Sequence, residues 1–132
     1  SDCLVGSEMC IRDRHKEARN YRPSAEYCTW FATLPLDRQQ KEWANLQEQA
    51  KDRQEREDAE REECYTAWSD HINYLMKSNN IDRKTAIRWS IDGEQIVIHT
   101  FQDVEHYCFV NNLPHEKWAE VVRLFFPDWK EA

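Results

Sequence analysis

Lys51 to Glu63 reads KDRQEREDAEREE, and this charged stretch decides how the rest of the chain can fold. Ala59 is its only apolar residue, so no face of the stretch can be buried in a core. It contains neither glycine nor proline, the residues that most readily end a helix. Opposite charges four residues apart stabilise a solvated helix by about 0.2–0.5 kcal/mol per pair. Two such pairs are Asp52–Arg56 and Glu57–Arg61. The stretch therefore predicts a helix in water; the alternative is a loop between two shorter helices.

The same helix extends outward on both sides of the charged stretch. Pro35 and Asp37 are typical of a helix start, because proline fits the first turn and a carboxylate is favourable at the positive end of the helix dipole. No glycine or proline follows before Ser78, so we predict one long helix over residues 37–78. Both of its ends are amphipathic. The apolar residues that share a face are Trp43, Leu46 and Ala50 near the start and Cys64, Trp68, Ile72 and Leu75 near the end.

Residues 79–132 predict a small bundle of about three short helices packed on the end of the long helix. Residues that cap or stop helices divide this region. In chain order they are Asp82, Gly93, the pair Thr100 and Asp103, Pro114 and Pro127. The β-branched segment Gln95–Phe101, QIVIHTF, predicts either one short strand or an extended arm. The predicted fold class is all-α, with one long, partly solvated helix and a compact C-terminal bundle of short helices.

The beginning of the chain has two parts. Leu4–Arg14, LVGSEMCIRDR, resembles the in-frame translation of the transposon adapter that is used to fragment DNA for sequencing. This resemblance implies that residues 1–14 are adapter-derived and lie outside the fold, and that the natural start is missing. Residues 15–36 are then a truncated N-terminal segment. Within it, Ser24–Thr33 is rich in aromatic residues and predicts either a short helix capped by Ser24 or an irregular apolar segment on the core.

Composition limits the possible environment and partners. The chain has 18 Lys and Arg against 25 Asp and Glu, a net charge of −7, which gives no general attraction to nucleic acid or to an anionic membrane. No apolar run approaches the ~20 residues that a membrane-spanning helix needs. Cys3 and Cys10 belong to the adapter-like part, which leaves Cys28, Cys64 and Cys108. Three widely spaced cysteines do not make a disulfide framework, so a reducing cytoplasm is the predicted location.

The sequence carries no catalytic, cofactor or metal motif. It lacks CxxC and HExxH spacings, and its two glycines, Gly6 and Gly93, cannot form a glycine-rich phosphate loop. Cys108 has His106 and His115 nearby, but it shares an apolar helix face, so an inert core thiol with a raised pKa is favoured over a thiolate. We predict a chain that is not an enzyme and has no cofactor and no metal.

Four pieces of the chain, in this order, resemble small uncharacterised proteins encoded by marine tailed phages. They are HKEARNYRP (His15–Pro23), the acidic helix around residues 52–63, DRKTAIRW (Asp82–Trp89) and DVEHYCFVNNLP (Asp103–Pro114). The resemblance implies a phage product that acts in a bacterial cytoplasm, and it implies no particular activity. The chain departs from the pattern after the Leu-Pro, where relatives have a tyrosine-rich stretch and this sequence has His115–Trp118 and a further helix.

The long helix supports the leading functional hypothesis. The apolar patch Trp43, Leu46 and Ala50 lies beyond the solvated stretch, so either the N-terminal segment or another chain must cover it. Aromatic anchors on a helix face are a common means of binding a partner. The patch therefore predicts a non-enzymatic interaction module that binds an unknown protein partner, or a second copy of itself, through the long helix.

The alternative hypothesis is a helix-turn-helix that binds nucleic acid. Residues 79–89, NNIDRKTAIRW, read as a short turn followed by a helix with a basic start, the geometry in which such residues meet base edges and phosphates. The candidate contacts are Arg83, Lys84, Thr85 and Arg88. The competing interpretation is that Ala86, Ile87 and Ile91 pack in the core while the cations are solvated or paired with the long helix. The negative net charge favours this competing interpretation.

Overall fold

The structure is a computed structural model that describes the backbone of residues 8–131 and the side chains of residues 11–131. Six helices occur within this part of the chain. They are α1 (Glu8–Arg19), α2 (Ala25–Thr33), α3 (Leu36–Asn79), α4 (Arg83–Gly93), α5 (Phe101–Val110) and α6 (His115–Phe125). The prediction of an all-α fold with one long helix and a C-terminal cluster of short ones is confirmed. The chain divides into two compact units, Ser1–Glu57 and Asp58–Ala132, and α3 contributes residues to both.

Helix α3 runs without interruption through the charged stretch, so the predicted continuity is confirmed and the loop alternative is wrong. The helix ends where Asn80 takes a positive φ of 51° and the amide of Ile81 donates to the carbonyl of Met76 at 3.1 Å. This pattern closes a helix end because it satisfies a carbonyl that has no partner further along the helix. The ion pairs of the stretch differ in detail from those predicted. Within residues 51–63 they are Arg53–Glu57 at 3.0 Å and Arg61–Asp58 at 3.6 Å.

The first unit covers the apolar face near the start of α3 with α1 and α2. Its fully buried residues are Ile11, Phe31 and Leu46, and partly buried Tyr27, Leu34, Trp43 and Ala50 pack against them. Of the two predicted forms of Ser24–Thr33, the short helix is the one observed: the Ser24 hydroxyl caps α2 by accepting a hydrogen bond from the amide of Tyr27 at 3.1 Å. The N-terminal segment is therefore the cover for the patch on α3, as one of the two sequence-based alternatives required.

The expectation that residues 1–14 lie outside the fold is wrong for residues 8–14. Helix α1 begins at Glu8, and Ile11 is 1% exposed in the core of the first unit. The physical reason is local: Ile11, His15 and Ala18 have the i, i+4, i+7 spacing of one helix face, and all three are buried. Residues 1–7 of the adapter-like part lie outside the described residues. A sequence of any origin folds into a core if it carries apolar residues at the right spacing.

The second unit packs α4, α5 and α6 on the last part of α3. Its fully buried residues are Ile72, Ala86, Ile87, Ile91, Val104, Tyr107, Cys108, Leu113, Val121 and Val122. Two predicted caps are in place: the Asp82 carboxylate accepts from the amide of Thr85 at 2.8 Å, and that of Asp103 accepts from the amide of Thr100 at 2.9 Å. Hydrogen bonds to the charged form lower the pKa of both carboxyls: those from the side chain and amide of Thr85 at Asp82, and those from the amides of His99 and Thr100 at Asp103. The chain takes helical form up to Gly93, and Pro114 precedes the last helix.

The segment Gln95–Phe101 does not form the short strand that was one of its two predicted forms. Residues 96–98 have no sheet pairing anywhere in the described part of the chain, and they run as an extended connection between α4 and α5. Ile96 and Ile98 are partly buried against the core of the second unit. Their β-branched side chains therefore serve packing, and a lone strand would have left its backbone groups without partners.

Replacement of Ile11 by alanine tests whether the front of α1 belongs to the first unit. We expect Ile11→Ala to lower the free energy of unfolding by about 2–4 kcal/mol, because it leaves a cavity between α1 and the buried face of α3. The control is Leu36→Ala, at a side chain that is 63% exposed, which should change stability by less than about 0.5 kcal/mol. Urea unfolding, monitored by circular dichroism, measures the stability of both variants, and hydrogen exchange of the α2 amides gives a local measure of the first unit. Equal effects of both changes would contradict the packing of Ile11.

Candidate functional site

The centre of the predicted partner surface on α3 is not accessible. Leu46 has no exposed surface, because Ile11 and Phe31 pack against it inside the first unit. Trp43 is partly buried, and the Arg14 guanidinium lies 5.2 Å from the centre of its ring. Ala50 is also partly buried. The assignment of these three residues of α3 to partner binding is corrected accordingly, since the residue at the centre of the patch is already covered by the chain itself.

The predicted nucleic-acid residues lie at the start of α4, on the surface of the second unit. Arg83 forms an ion pair with Glu120 of α6 at 3.1 Å, and its guanidinium lies 5.5 Å from the centre of the Trp68 ring. The competing interpretation expected cations that are solvated or paired with the long helix; for Arg83 the paired carboxylate comes from α6. Thr85 contributes its backbone amide to the cap at Asp82 and is partly buried. These residues are therefore committed to contacts within the unit.

Two cations of α4 remain on the surface. Lys84 and Arg88 are exposed, one turn apart, with charged groups 5.9 and 5.0 Å from the centre of the Phe125 ring. Three other residues of α4 are fully buried, as the competing interpretation predicted: Ala86, Ile87 and Ile91. The exposed basic face of α4 thus consists of two cations, Lys84 and Arg88, near one aromatic ring. The sequence had suggested a larger face that also included Arg83 and Thr85.

The second unit has an open cleft of 690 Å³, which we call the α3–α4 cleft. One wall is a single face of α3, formed by Cys64, Ala67, Trp68, His71 and Leu75. The other residues lie at and after the end of α4, together with one residue that follows α5: Trp89, Ser90, Gly93, Glu94 and Asn111. The lining combines apolar and aromatic groups with a few polar ones, which is the usual composition of a binding site.

A buried polar network supports the cleft from within. The indole nitrogen of Trp68 donates to the Tyr107 hydroxyl at 2.7 Å, and the Ser90 hydroxyl lies 2.7 Å from the same oxygen. The three residues join α3, α4 and α5. Tyr107 has no exposed surface, and burial raises the pKa of its hydroxyl, so the group stays protonated. A buried network in which each polar group has a partner favours a rigid lining.

Two features leave the cleft open to a ligand, and a third offers the ligand a polar group. Trp89 is 45% exposed, although tryptophan is a large apolar side chain. A side chain at Gly93 would start in empty space, because no atom lies within 4 Å of the position that a Cβ would take. The carboxylate of Glu94 accepts a hydrogen bond from the Asn111 amide at 3.2 Å, and the same amide nitrogen donates to the carbonyl of Tyr107 at 2.9 Å. The lining thus combines a half-exposed indole ring with an oriented carboxylate.

The cleft could not be predicted from the sequence, because its two walls meet only in the folded unit. One signal was available. Ala86, Ile87 and Ile91 define the apolar face of α4, and Trp89 falls well outside that face on a helical projection. A large aromatic residue away from the buried face of its own helix indicates either a second contact or a binding surface.

The described thiols show no arrangement for nucleophilic catalysis. Cys108 is fully buried, and burial raises its pKa to about 12, as the predicted core thiol requires. Cys64 lies on the cleft, where the Asn112 amide is 3.6 Å from its sulfur. Within the described residues, no cluster of three or more His, Cys, Asp or Glu side chains could hold a metal ion. None of the helices there has the length and apolar character to cross a membrane.

Comparisons with known proteins identify no relative from which a function of these surfaces could be inferred. No protein-family model, curated protein or solved structure matches the chain. A function therefore has to be argued from the α3–α4 cleft and from the basic face of α4, using the chemistry of their own residues.

Thiol labelling of the folded chain tests the contrast between the cysteines. We expect iodoacetamide at about pH 8 to modify Cys64 well before Cys108, because a buried thiol with a pKa of about 12 forms almost no thiolate. Peptide mapping by mass spectrometry assigns each modification, so Cys3 and Cys10 do not interfere. The control is the urea-unfolded chain, in which the labelling rates should converge. Labelling of Cys108 as fast as Cys64 in the folded chain would contradict the packing of α5.

Proposed function

We propose that the chain is a non-enzymatic protein-interaction module that binds a segment of a protein partner in the α3–α4 cleft. The observation that carries the proposal is the exposed ring of Trp89 above an open cleft whose lining is held by the Trp68–Tyr107–Ser90 network. A preorganised lining lowers the ordering cost of binding, and exposed tryptophans are frequent anchors at interfaces. The long helix remains the element that meets the partner, but through residues 64–75 instead of residues 43–50.

Charge indicates what kind of segment the cleft accepts. The chain has a net charge of −7, and Glu94 places a carboxylate on the rim. A second copy would bring the same negative charge, and like charges suppress association. The occupant that fits best is therefore a segment with an apolar side chain flanked by Lys or Arg, supplied by a different, cationic protein. The resemblance to marine phage proteins adds a setting to this proposal, namely a bacterial cytoplasm.

A matched pair of tryptophan variants tests the proposal. The probe is an amphipathic peptide of about 14 residues made of Leu, Ala and Lys, long enough to lie in a groove as a helix. We expect Trp89→Ala to weaken its binding roughly thirtyfold, about 2 kcal/mol, as loss of an anchor does. The control is Trp30→Ala in the first unit, whose side chain is equally exposed at 46%. It should leave the dissociation constant unchanged within about threefold.

Isothermal titration calorimetry measures both variants, and the same peptide with Glu in place of Lys measures the role of charge. The Glu peptide should bind far more weakly, because it brings negative charge to an acidic chain. Equal losses in the two tryptophan variants would indicate general attraction to the acidic surface and would remove the cleft from the proposal.

Nucleic-acid binding through α4 is a second candidate function. It is favoured by the exposure of Lys84 and Arg88 on one helix face, and the net charge opposes it. This candidate requires retention of duplex DNA at about 50 mM salt, with the slope of log affinity against log salt reduced by about 2 in the double variant Lys84→Ala, Arg88→Ala. The control is Lys41→Ala, Lys51→Ala in the first unit. Absence of a shift in an electrophoretic mobility assay at low salt would reject this candidate.

A further inference from the structure

Five of the six tryptophans have their rings contacted by a cation or another aromatic ring of the chain, and Trp89 is the exception among the described residues. The partners in the other five cases are Tyr27 at Trp30, Arg14 at Trp43, Arg83 at Trp68, His115 at Trp118 and Arg123 at Trp129. The chain thus covers its tryptophan rings with guanidinium groups three times. A guanidinium above an indole is favourable because the ring face is negative and the cation is weakly hydrated.

Trp89 shares its cleft with a carboxylate. Glu94 follows it by five residues and lines the same cavity. The Asn111 amide at 3.2 Å engages one oxygen of that carboxylate and leaves the other open to a further donor. Because Asn111 is itself bound to the Tyr107 carbonyl, the carboxylate is oriented by the fold and not only by solvent. An uncovered indole and an oriented carboxylate are together complementary to a planar cation with several donors.

We propose that the α3–α4 cleft binds an arginine side chain of the partner, with the guanidinium stacked on Trp89 and paired with Glu94. This inference rests on the proposed function and names the residue type that the partner must present. Asn111 is a positioning residue, since it acts on the ligand through Glu94. Arginine fits better than lysine, because its flat guanidinium both stacks and donates in the plane, whereas an ammonium is a compact, strongly hydrated charge. Leu75 and Ala67 supply the apolar wall for the stem of the side chain.

The test uses a peptide of about 14 residues with one central arginine, and its citrulline, lysine and glutamate analogues. Citrulline keeps the shape and removes the charge. We expect the change from arginine to citrulline to weaken binding to the native chain about tenfold, and the change to lysine about threefold. For the Glu94→Gln chain, replacement of the peptide's arginine by citrulline should weaken binding by less than about twofold, because the paired carboxylate is gone. Trp89→Phe should retain most of the arginine preference and Trp89→Leu should lose it.

Asn111→Ala tests the positioning role. It should weaken binding of the arginine peptide more than binding of the citrulline peptide, and so reduce the preference for arginine. A merely structural role would weaken both peptides equally. Thermal unfolding of each variant confirms that the second unit is folded.

Gly93→Met separates failure of this inference from failure of the proposed function. Gly93 lines the cleft and the new side chain starts in empty space, so it should occupy part of the cleft and block binding of every peptide without a loss of stability. If Gly93→Met blocks binding but citrulline binds the native chain as well as arginine does, the arginine site is wrong and the module stands. If Gly93→Met leaves all peptides bound, the cleft is not the binding surface and both proposals fail.

Discussion

Charged residues without partners are far more stable in water than in a protein core, and this constraint determines which parts of α3 can be buried. The stretch from Lys51 to Glu63 has no apolar face, so it must stay in water as a helix. The apolar residues before it and after it are then too far apart along the helix to share one core. Each end requires its own cover, and the chain supplies α1 and α2 at one end and α4, α5 and α6 at the other. The division into two compact units follows from the composition of a single helix.

Sequence signals within a few residues, namely helix caps and helix breakers, were sufficient to predict where the helices lie. The extent of α3 followed from the absence of breakers between Pro35 and Asn79, and the starts of α2 and α4 followed from Ser24 and Asp82 as caps. Each of these depends on hydrogen bonds within a few residues, so the sequence nearby contains the information. The positions of ion pairs were less predictable, because Arg53 can reach Glu57 as easily as Asp52 can reach Arg56, and the energies differ little.

The cover of each apolar face could not be predicted from the face alone. The patch around Leu46 required burial, and the sequence left open whether the N-terminal segment or another chain provides it. The answer depended on Ile11, which lies in a stretch whose resemblance to adapter DNA had excluded it. Origin and folding are separate questions, since packing responds only to the spacing of apolar residues. In the same way the pair of Arg83 with Glu120 joins residues 37 positions apart, and no local pattern selects that carboxylate over those of α3.

The two candidate surfaces of the second unit differ in whether their functional groups already interact with other residues of the chain. On α4, the ring of Phe125 has Lys84 and Arg88 above it, so that ring and those cations already stabilise one another. A phosphate that binds there must compete with contacts that exist in the unbound state. In the α3–α4 cleft, Trp89 has an exposed face and Glu94 an oxygen open to a donor, so a cation from outside gains interactions without displacing any. Association depends on the difference between bound and unbound states, and this difference favours the cleft over the basic face.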